Sequence, residues 1–481
     1  MRAGLCSSLL ALTVLLAGCG GGDGSSSTSG ATAGTPTPSP TSTPTPTPAS
    51  TACTLASRQQ WALTKLQEWY LFPDLLDTTV DPASYGTVQD YIDALVAPAR
   101  AQSKDRYFTY LTSISEENAY YQQGATAGFG VRLGFDYSSN RLFVIEAYEN
   151  APGLAAGLDR GTEIIGIGTT TSNIQSISTL VANGGTQAVS DALGPSTTGT
   201  TRVLQIRQLN SSISTVSVTK KTYSLLPVSS RYGVKVIDDN GAKVGYVNLR
   251  TFVDTADPAL RDAFSQFRAQ GITKVIVDLR YNGGGLVSIA ELFSNLLNGQ
   301  RNGEVMGYTT FSDSKSNNNE TTYFSAQPEA IGATRVAFIG TGSTASASEF
   351  VMNAEKPYLG ANAALIGTNT YGKPVGQVGL DMADCDDRLR AIAFRIENAN
   401  HEGDYYTGLG SHMDATCQAS DDISYQLGDP QEASIKVALD YLDGRSCTAI
   451  QSTGLAAQSV GRRALLNAAP NTAQKELPGL Y

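Results

Sequence analysis

The feature that most constrains the fold is a repeated succession of apolar strand, turn and helix between residues 229 and 445. Val275–Leu279 is almost continuously apolar, and it is followed by Gly283–Gly285 and by a stretch that predicts a helix, Val287–Leu297. Runs of this kind are typical of parallel strands that are buried on both faces of a sheet. Two further apolar strands follow, at Val336–Ile339 and Ala364–Ile366. The sequence therefore predicts a layered α/β domain over residues 229–445.

Composition narrows the class of protein. The chain has 481 residues, 16% of them charged, and a formal net charge of −10. At about 150 residues per domain, this length predicts roughly three folded units. The acidic balance argues against a nucleic-acid partner, which needs basic patches to meet phosphates. It also argues against binding to an anionic lipid surface, which needs clusters of Lys and Arg.

The first 52 residues predict export and attachment. Leu9–Ala17 is apolar but too short to span a bilayer stably, and the ending Leu16-Ala17-Gly18-Cys19 resembles a lipoprotein box. The resemblance implies a signal peptide over residues 1–18 and a lipid on Cys19 that anchors the exported protein to the cell envelope. An ordinary secretory signal is the alternative. Gly20 after the cysteine indicates the periplasmic face of the outer membrane if the source is Gram-negative. Residues 19–52, rich in Gly, Ser, Thr and Pro, predict a tether.

Cysteine usage agrees with export. Four cysteines remain beyond the signal and the lipidation site: Cys53, Cys385, Cys417 and Cys447. In an oxidising compartment they allow three pairings. We expect Cys385–Cys417, the nearest pair in sequence, and Cys53–Cys447, which would join the two ends of the folded region. A zinc site is disfavoured because there is no C-x-x-C and the chain has only 2 histidines, so we expect no metal.

Two regions precede the α/β domain. Residues 53–123 repeat apolar side chains near helical spacing, which predicts a helical N-terminal region. Residues 124–228 resemble a PDZ domain, because Gly128-Phe129-Gly130-Val131 matches its carboxylate-binding loop and Pro152–Ile167 its short helix and following strand. Thr162 departs from that pattern, which usually has Asp. The glycines free the backbone, so that successive N–H groups can meet a terminal carboxylate while the peptide adds as a strand.

Three segments that follow predicted strands carry the candidate chemistry: Asp278–Gly285, Ser343–Phe350 and Thr370–Gln377. A serine on a sharp turn between strand and helix can be exposed as a nucleophile, but Ser346-Ala347-Ser348-Glu349 is also a capping box. Gly367 and Gly372-Lys373 have the spacing of a nucleotide P-loop, yet Pro374 stands where Ser or Thr would bind magnesium. The glycines of the first segment are either a turn or a site of close backbone approach.

Taken in order, these segments resemble the catalytic motifs of the carboxyl-terminal processing proteases, also called tail-specific proteases. The resemblance extends over nearly all of residues 53–445. It implies that Ser346 is the nucleophile, that Lys373 is the general base and that Gln377 orients the lysine. The gap from Ser346 to Lys373 is two residues longer than is usual in that family, which leaves Ser348 as an alternative nucleophile. The other implied residues are the oxyanion donors Ala347 and Gly284 or Gly285, and the supporting residues Glu349 and Thr370.

A serine–lysine pair is chemically sound. Lysine accepts a proton only when it is neutral, so burial must lower its pKa from about 10.4. A shift of three units requires on the order of 4 kcal/mol. The resemblance thus implies a serine endopeptidase that works through an acyl-enzyme, without a cofactor, on proteins recognised by their C-terminal tails.

Two other functions stay open. One is a non-catalytic PDZ scaffold, against which the intact set of Ser346, Lys373 and Gln377 argues. The other is a Ser-His-Asp hydrolase that uses His401 or His412, neither of which has a recognisable triad context. The C-terminal tail, residues 446–481, is mostly small and polar and predicts no structure or role, and the oligomeric state is undetermined.

Overall fold

The computed structural model describes residues 53–451, 462–467 and 470–481. The predicted signal peptide, the tether and the lipidation site Cys19 lie outside these residues. No helix in the described part of the chain has the length and apolar character needed to cross a membrane.

The described residues form a mixed α/β structure with strands in four sheets. The strands, in chain order, are β1 (Tyr110–Ser113), β2 (Ala125–Gly128), β3 (Val131–Asp136), β4 (Arg141–Ala147), β5 (Glu163–Gly168), β6 (Gln175–Ser176), β7 (Thr201–Arg207), β8 (Ile213–Thr219), β9 (Lys221–Ser224), β10 (Val234–Asp239), β11 (Ala242–Asn248), β12 (Lys274–Asp278), β13 (Val305–Phe311), β14 (Glu320–Tyr323), β15 (Arg335–Gly340), β16 (Ala363–Gly367), β17 (Val375–Met382), β18 (Asp387–Asn398), β19 (Ala415–Gln418) and β20 (Arg462–Ala464).

Helices connect and cover these strands. In chain order they are α1 (Leu55–Trp69), α2 (Val88–Leu95), α3 (Ala97–Ala101), α4 (Ile114–Gln123), α5 (Pro152–Ala155), α6 (Ile177–Leu193), α7 (Ala256–Ala269), α8 (Val287–Leu297), α9 (Ala347–Leu359), α10 (Ala433–Leu442) and α11 (Thr472–Glu476).

The central sheet has the strand order β10-β11-β12-β15-β16-β19, and all neighbours from β11 onward are parallel. Successive residues of a strand face opposite sides of a sheet, and both sides are buried here. Val275 and Val277 pack with α7, α8 and α9, whereas Ile276 between them packs with α10. This layering explains the nearly continuous apolar strands and agrees with the predicted α/β domain.

The N-terminal helices pack on a second, antiparallel sheet. Its long strand β18 pairs with β1, β13 and β17. Leu66 of α1 and Ile92 of α2 are fully buried in one cluster with Leu389 and Ile392 of β18. Residues 53–123 therefore form helices and one strand, and they pack against β17 and β18.

A third sheet contains the region expected to resemble a PDZ domain. Its order is β20-β3-β4-β5-β7-β8, with β6 beside β5, and α6 packs against it through Val189 and Leu193. A small fourth sheet pairs β2 with β9. Strand β20 belongs to the C-terminal tail, so this sheet includes a segment for which the sequence predicted no structure.

The expected disulfide pairing is wrong. The structure joins Cys53 to Cys385 and Cys417 to Cys447. Cys385 lies in the turn between β17 and β18. The ion pair between Arg58 of α1 and Asp387 of β18, at 2.5 Å, holds the start of α1 next to this turn. Cys417 lies in the edge strand β19. After α10 the chain returns beside this strand, and the Gln418 N–H donates to the Thr448 oxygen at 2.7 Å. Sheet packing, not distance along the chain, thus decides the pairing.

Candidate active site

The three candidate segments meet at one edge of the central sheet. They follow β12, β15 and β16, which are parallel neighbours, and the carboxyl ends of such strands lie together. Hydrogen bonds join the segments: the Leu279 N–H donates to the Ile339 oxygen at 2.9 Å, and the Tyr371 N–H donates to the Thr344 oxygen at 2.9 Å. This edge is therefore where the chain gathers its candidate catalytic residues.

Ser346 occupies a strained turn immediately before α9. Its φ of 56° lies in the left-handed region, which is unusual for a residue with a side chain. Ser348, the alternative nucleophile, is fully buried and its hydroxyl donates to the Asn282 main-chain oxygen at 3.0 Å. Ser346 is partly exposed. The geometry therefore favours Ser346 as the reactive hydroxyl and gives Ser348 a structural role.

Residues Gly283–Gly285, the catalytic glycine loop, lie against this turn. Gly284 has φ 120°, and a Cβ added there would lie 2.8 Å from the Ser346 Cβ, so a side chain has no room. The Gly284 N–H donates to the Asn282 Oδ1 at 2.9 Å. Ala347 is the first residue of α9, so its N–H has no partner within the helix. Of the expected oxyanion donors, Gly284 thus already has an acceptor, whereas the Ala347 N–H is left without one inside its helix.

Glu349 joins the serine turn to the lysine segment. Its carboxylate is fully buried and accepts four hydrogen bonds, from the Ser346 N–H at 3.0 Å, the Thr370 hydroxyl at 2.6 Å, and the N–H groups of Gly372 and Lys373 at 2.7 Å each. Burial raises the pKa of Glu349, and these four donors oppose that shift. One carboxylate therefore fixes the spacing between the two predicted catalytic residues.

Lys373 lies in the segment of the chain that connects β16 to β17. Its Nζ donates to the Gln377 Oε1 at 2.9 Å, and the Gln377 amide in turn donates to the Phe108 main-chain oxygen. The Nζ also lies 5.2 Å from the centroid of the Phe108 ring. Burial lowers the pKa of Lys373, Arg390 lowers it further, and Glu476 raises it. The environment thus favours the neutral amine that a lysine base requires.

No hydrogen bond links the two predicted catalytic side chains in the described residues. Among the hydrogen bonds of the described residues, none joins the Ser346 Oγ to the Lys373 Nζ, whose bond goes to Gln377. In the same residues, no hydrogen bond joins His401 or His412 to Ser346 either. His401 has a side chain that is 64% exposed and stacks on Tyr308.

Known peptidases resemble this chain in sequence. Residues 243–405 match the model of peptidase family S41. A carboxyl-terminal-processing protease of Picosynechococcus sp. is 28% identical over 324 residues, which cover 66% of this chain and 71% of the relative. The chain therefore contains a peptidase domain of family S41 and has homologues among the carboxyl-terminal-processing proteases. It is a serine-type peptidase, as the resemblance implied.

Other relatives of this S41 peptidase are more distant or partial. The carboxy-terminal processing protease CtpA of Bacillus subtilis is 25% identical over 289 residues, covering 58% of this chain and 54% of the relative. A crystal structure of a Bacteroides fragilis protein described as an S41 protease is 20% identical, with a TM-score of 0.63, and covers 80% of this chain and 97% of that one. The second likeness shows a shared fold.

Sequence reasoning missed two residues that brace the site of the S41 peptidase. Arg106 donates to the main-chain oxygens of Tyr371, Gly372 and Tyr406, so the N-terminal region holds the lysine segment in place. Asn282 is fully buried and binds the Leu249 oxygen at 2.9 Å as well as the Gly284 N–H. Asn282 stands directly before the glycines and could have been suspected there; nothing in the local sequence distinguishes Arg106.

The predicted peptide-binding residues Gly128–Val131, the groove loop, lie between β2 and β3. The N–H groups of Gly130 and Val131 donate to the main-chain oxygen of Tyr481 at 2.9 and 3.3 Å. Phe129 is buried in the core beneath them. The groove loop therefore binds the main-chain oxygen of Tyr481 through two N–H groups.

Proposed function

We propose that this S41 peptidase is an endopeptidase that cuts proteins recognised by their C-terminal tails, with Ser346 as nucleophile and Lys373 as general base. The observation that carries the proposal is the Glu349 carboxylate, which binds the N–H groups of both residues and so holds the two segments together. The strained turn at Ser346 and the lowered pKa of Lys373 support the same roles.

The reaction would run through an acyl-enzyme. Ser346 Oγ attacks the scissile carbonyl carbon while its proton passes to the neutral Lys373 Nζ, which keeps one N–H on Gln377. Ala347 with Gly285 stabilises the oxyanion; Gly284 could join only by releasing Asn282. Lys373 then protonates the leaving amine. Water attacks the ester carbon and gives a proton to Lys373, which passes that proton to the Ser346 Oγ as the acyl–oxygen bond breaks and the acid product leaves.

Tail recognition is assigned to the PDZ-like region, residues 124–228. The groove loop offers two converging N–H groups, and β3 pairs with residues 479–481 on the side away from β4, where the tail of a substrate can bind in their place. We also propose that the exported protein is anchored through a lipid on Cys19. Replacing Cys19 by Ala should move the protein from the membrane fraction to the soluble fraction.

The catalytic assignment is tested by cleavage of an unfolded protein. Ser346→Ala and Lys373→Ala should each lower kcat by about 10²–10⁴-fold. The first removes the nucleophile that forms the acyl-enzyme, and the second removes the base that takes the proton of Ser346. Lys373→Arg should fail equally, since guanidinium stays charged.

Activity should rise with pH, because Lys373 acts as base only when deprotonated, and the rising limb should lie below the ordinary lysine range. His401→Asn and His412→Asn are controls that should keep near-full activity. A dead histidine variant beside an active Lys373→Ala would contradict the assignment.

A further inference from the structure

Residues 471–481, the tail segment, occupy the peptide groove of the same chain. The Tyr481 N–H donates to the Val131 oxygen at 2.9 Å, the Leu133 N–H donates to the Gly479 oxygen at 2.7 Å, and Leu480 pairs antiparallel with Arg132. A Cβ on Gly128 would lie 2.8 Å from the Tyr481 carbonyl carbon. Residues 479–481 thus bind as an added strand on β3, as a peptide ligand would.

The side chain of Tyr481 fills a pocket. It is 1% exposed, and its hydroxyl shares a hydrogen bond of 2.8 Å with the hydroxyl of Ser190 on α6. The Nζ of Lys220 lies 5.9 Å from the Tyr481 ring centroid and 4.7 Å from that of Phe129, and it donates to the Gly194 oxygen. An apolar pocket with one hydroxyl partner at its end fits an aromatic last residue, and tyrosine best.

The upstream part of the tail segment lies over the catalytic loops. A Cβ on Gly283 would lie 2.3 Å from the Glu476 main-chain oxygen, so the two backbones are in contact. Lys475 donates to the Leu111 oxygen at 3.0 Å, and Leu477 is fully buried beside Tyr120 and Tyr148. The Glu476 carboxylate raises the pKa of Lys373. A substrate that approaches the catalytic glycine loop over Gly283 must displace these residues.

The bound tail segment does not itself resemble a scissile peptide. Thr472–Glu476 is a helical turn, begun by Asn471, whose side chain accepts from the Gln474 N–H. Its main-chain groups bond within the turn, as in the Leu477 N–H to Ala473 oxygen bond at 2.8 Å. An extended peptide bond is therefore not offered to Ser346, which explains how the segment can cover the site as a ligand and not as a substrate.

We propose that the tail segment is an intramolecular ligand that closes this protease, and that substrate tails ending in an aromatic residue, tyrosine above all, open it by taking its groove. The proposal rests on the proposed function of the groove and of Ser346. Arg132 links the two places directly: it pairs with Leu480 in the groove strand, and its side chain donates to the Tyr281 oxygen, next to the catalytic glycine loop, at 2.5 Å.

The first test measures binding without catalysis. A fluorescent peptide of residues 471–481 with a free carboxyl terminus is titrated into the Ser346→Ala protein, either full length or lacking residues 471–481. We expect at least tenfold tighter binding to the shortened protein, because a tethered ligand competes at an effective concentration of about millimolar. Peptides that end in Ala, or in an amide, should bind at least tenfold more weakly. Equal affinity of both proteins for the peptide would overturn the proposal.

The second test measures cleavage in the Ser346 enzyme. Removal of residues 471–481, Tyr481→Ala and Ser190→Ala should each increase cleavage of a substrate that lacks an aromatic terminus, and the free peptide should inhibit the shortened enzyme. Leu466→Ala, an exposed side chain in the preceding segment, is the matched control and should change nothing. If the shortened protein does not fold, the two point variants carry the test. Unchanged activity in both would overturn the proposal.

The two tests separate the two proposals. Suppose that tail removal strengthens peptide binding in the first test, but the enzyme with Ser346 intact cleaves nothing in the second. That result would refute the catalytic assignment and would still support the intramolecular ligand. If cleavage depends on Ser346 but is the same with and without residues 471–481, the intramolecular ligand is refuted and the catalytic assignment is supported.

Discussion

The groove loop and the catalytic glycine loop both contain glycines whose main-chain N–H groups bind an oxygen, but the two loops bind different kinds of partner. Each is a glycine-rich turn beside a strand that directs main-chain N–H groups at an oxygen. In the groove loop the acceptor is the Tyr481 oxygen, which belongs to a distant segment. In the catalytic loop the Gly284 N–H is held by Asn282, two residues away, and the Phe252 N–H binds the Gly284 oxygen at 2.9 Å.

This difference matches the role that we propose for each loop. A peptide site must exchange its ligand, so its donors are left to a partner that can leave. An oxyanion site gains most when its donors are fixed before the charge develops, so the chain itself braces the loop. The same residue type therefore serves exchange in one place and rigidity in the other.

The sharpest way to break the comparison is to add one methyl group to the braced loop. In Gly284→Ala the new Cβ meets the Ser346 Cβ at a φ that side chains rarely adopt. We expect cleavage to fall by about 10²-fold or more, as when an oxyanion donor is lost, while peptide affinity of the groove stays unchanged. Turnover and fluorescent-peptide binding measure the two separately. A parallel loss of both would mean that the loops are not independent.

Glu349→Gln tests the brace around the serine turn. Each carboxylate oxygen accepts two donors, so the amide NH₂ of glutamine must face two of them in either orientation. Leaving buried donors unpaired costs about 1–3 kcal/mol. We expect a loss of that size in stability against urea, together with at least tenfold lower kcat.

Glu355→Gln is the matched control on the same helix. Glu355 is fully buried, binds Asn298 at 2.6 Å, and burial raises its pKa to about 8. The folded protein thus retains a proton that the unfolded chain releases above its pKa of 4.5, so stability falls as pH rises from about 4.5 to 8. The substitution should be tolerated at pH 7 and should flatten that decline. An equal loss from both variants would remove any special role for Glu349.

Gly128→Ala is the smallest change, and it acts on the exchanging loop. The added Cβ would approach the main chain of the bound residue at 2.8 Å, which weakens the ligand without touching the catalytic edge. We expect the preference for a substrate with a free carboxyl terminus over its amide to fall severalfold. Cleavage of a short peptide without a tail should rise, because the substitution also weakens the bound tail segment. An unchanged preference would place tail recognition elsewhere.

Part of this molecule was predictable from local sequence. The apolar strands at 275–279, 336–339 and 364–366 predicted a parallel sheet because burial on both faces leaves no alternation of polar residues, and all three pair as parallel neighbours. From that order alone the three candidate segments had to meet at one edge. The family, and hence the serine-type peptidase, was predictable because its motifs are short and contiguous.

Only the tertiary structure decided the rest. The disulfides follow which turns pack side by side, and sequence distance carries no information on that. The choice between Ser346 and Ser348 was left to burial, because only the fold shows which hydroxyl is already bonded to Asn282. Residues 471–481 have no strong periodicity of their own. Their role comes from a groove on β3 and a pocket on α6, both formed by segments far earlier in the chain; Ser190 and Tyr481 are separated by 291 residues.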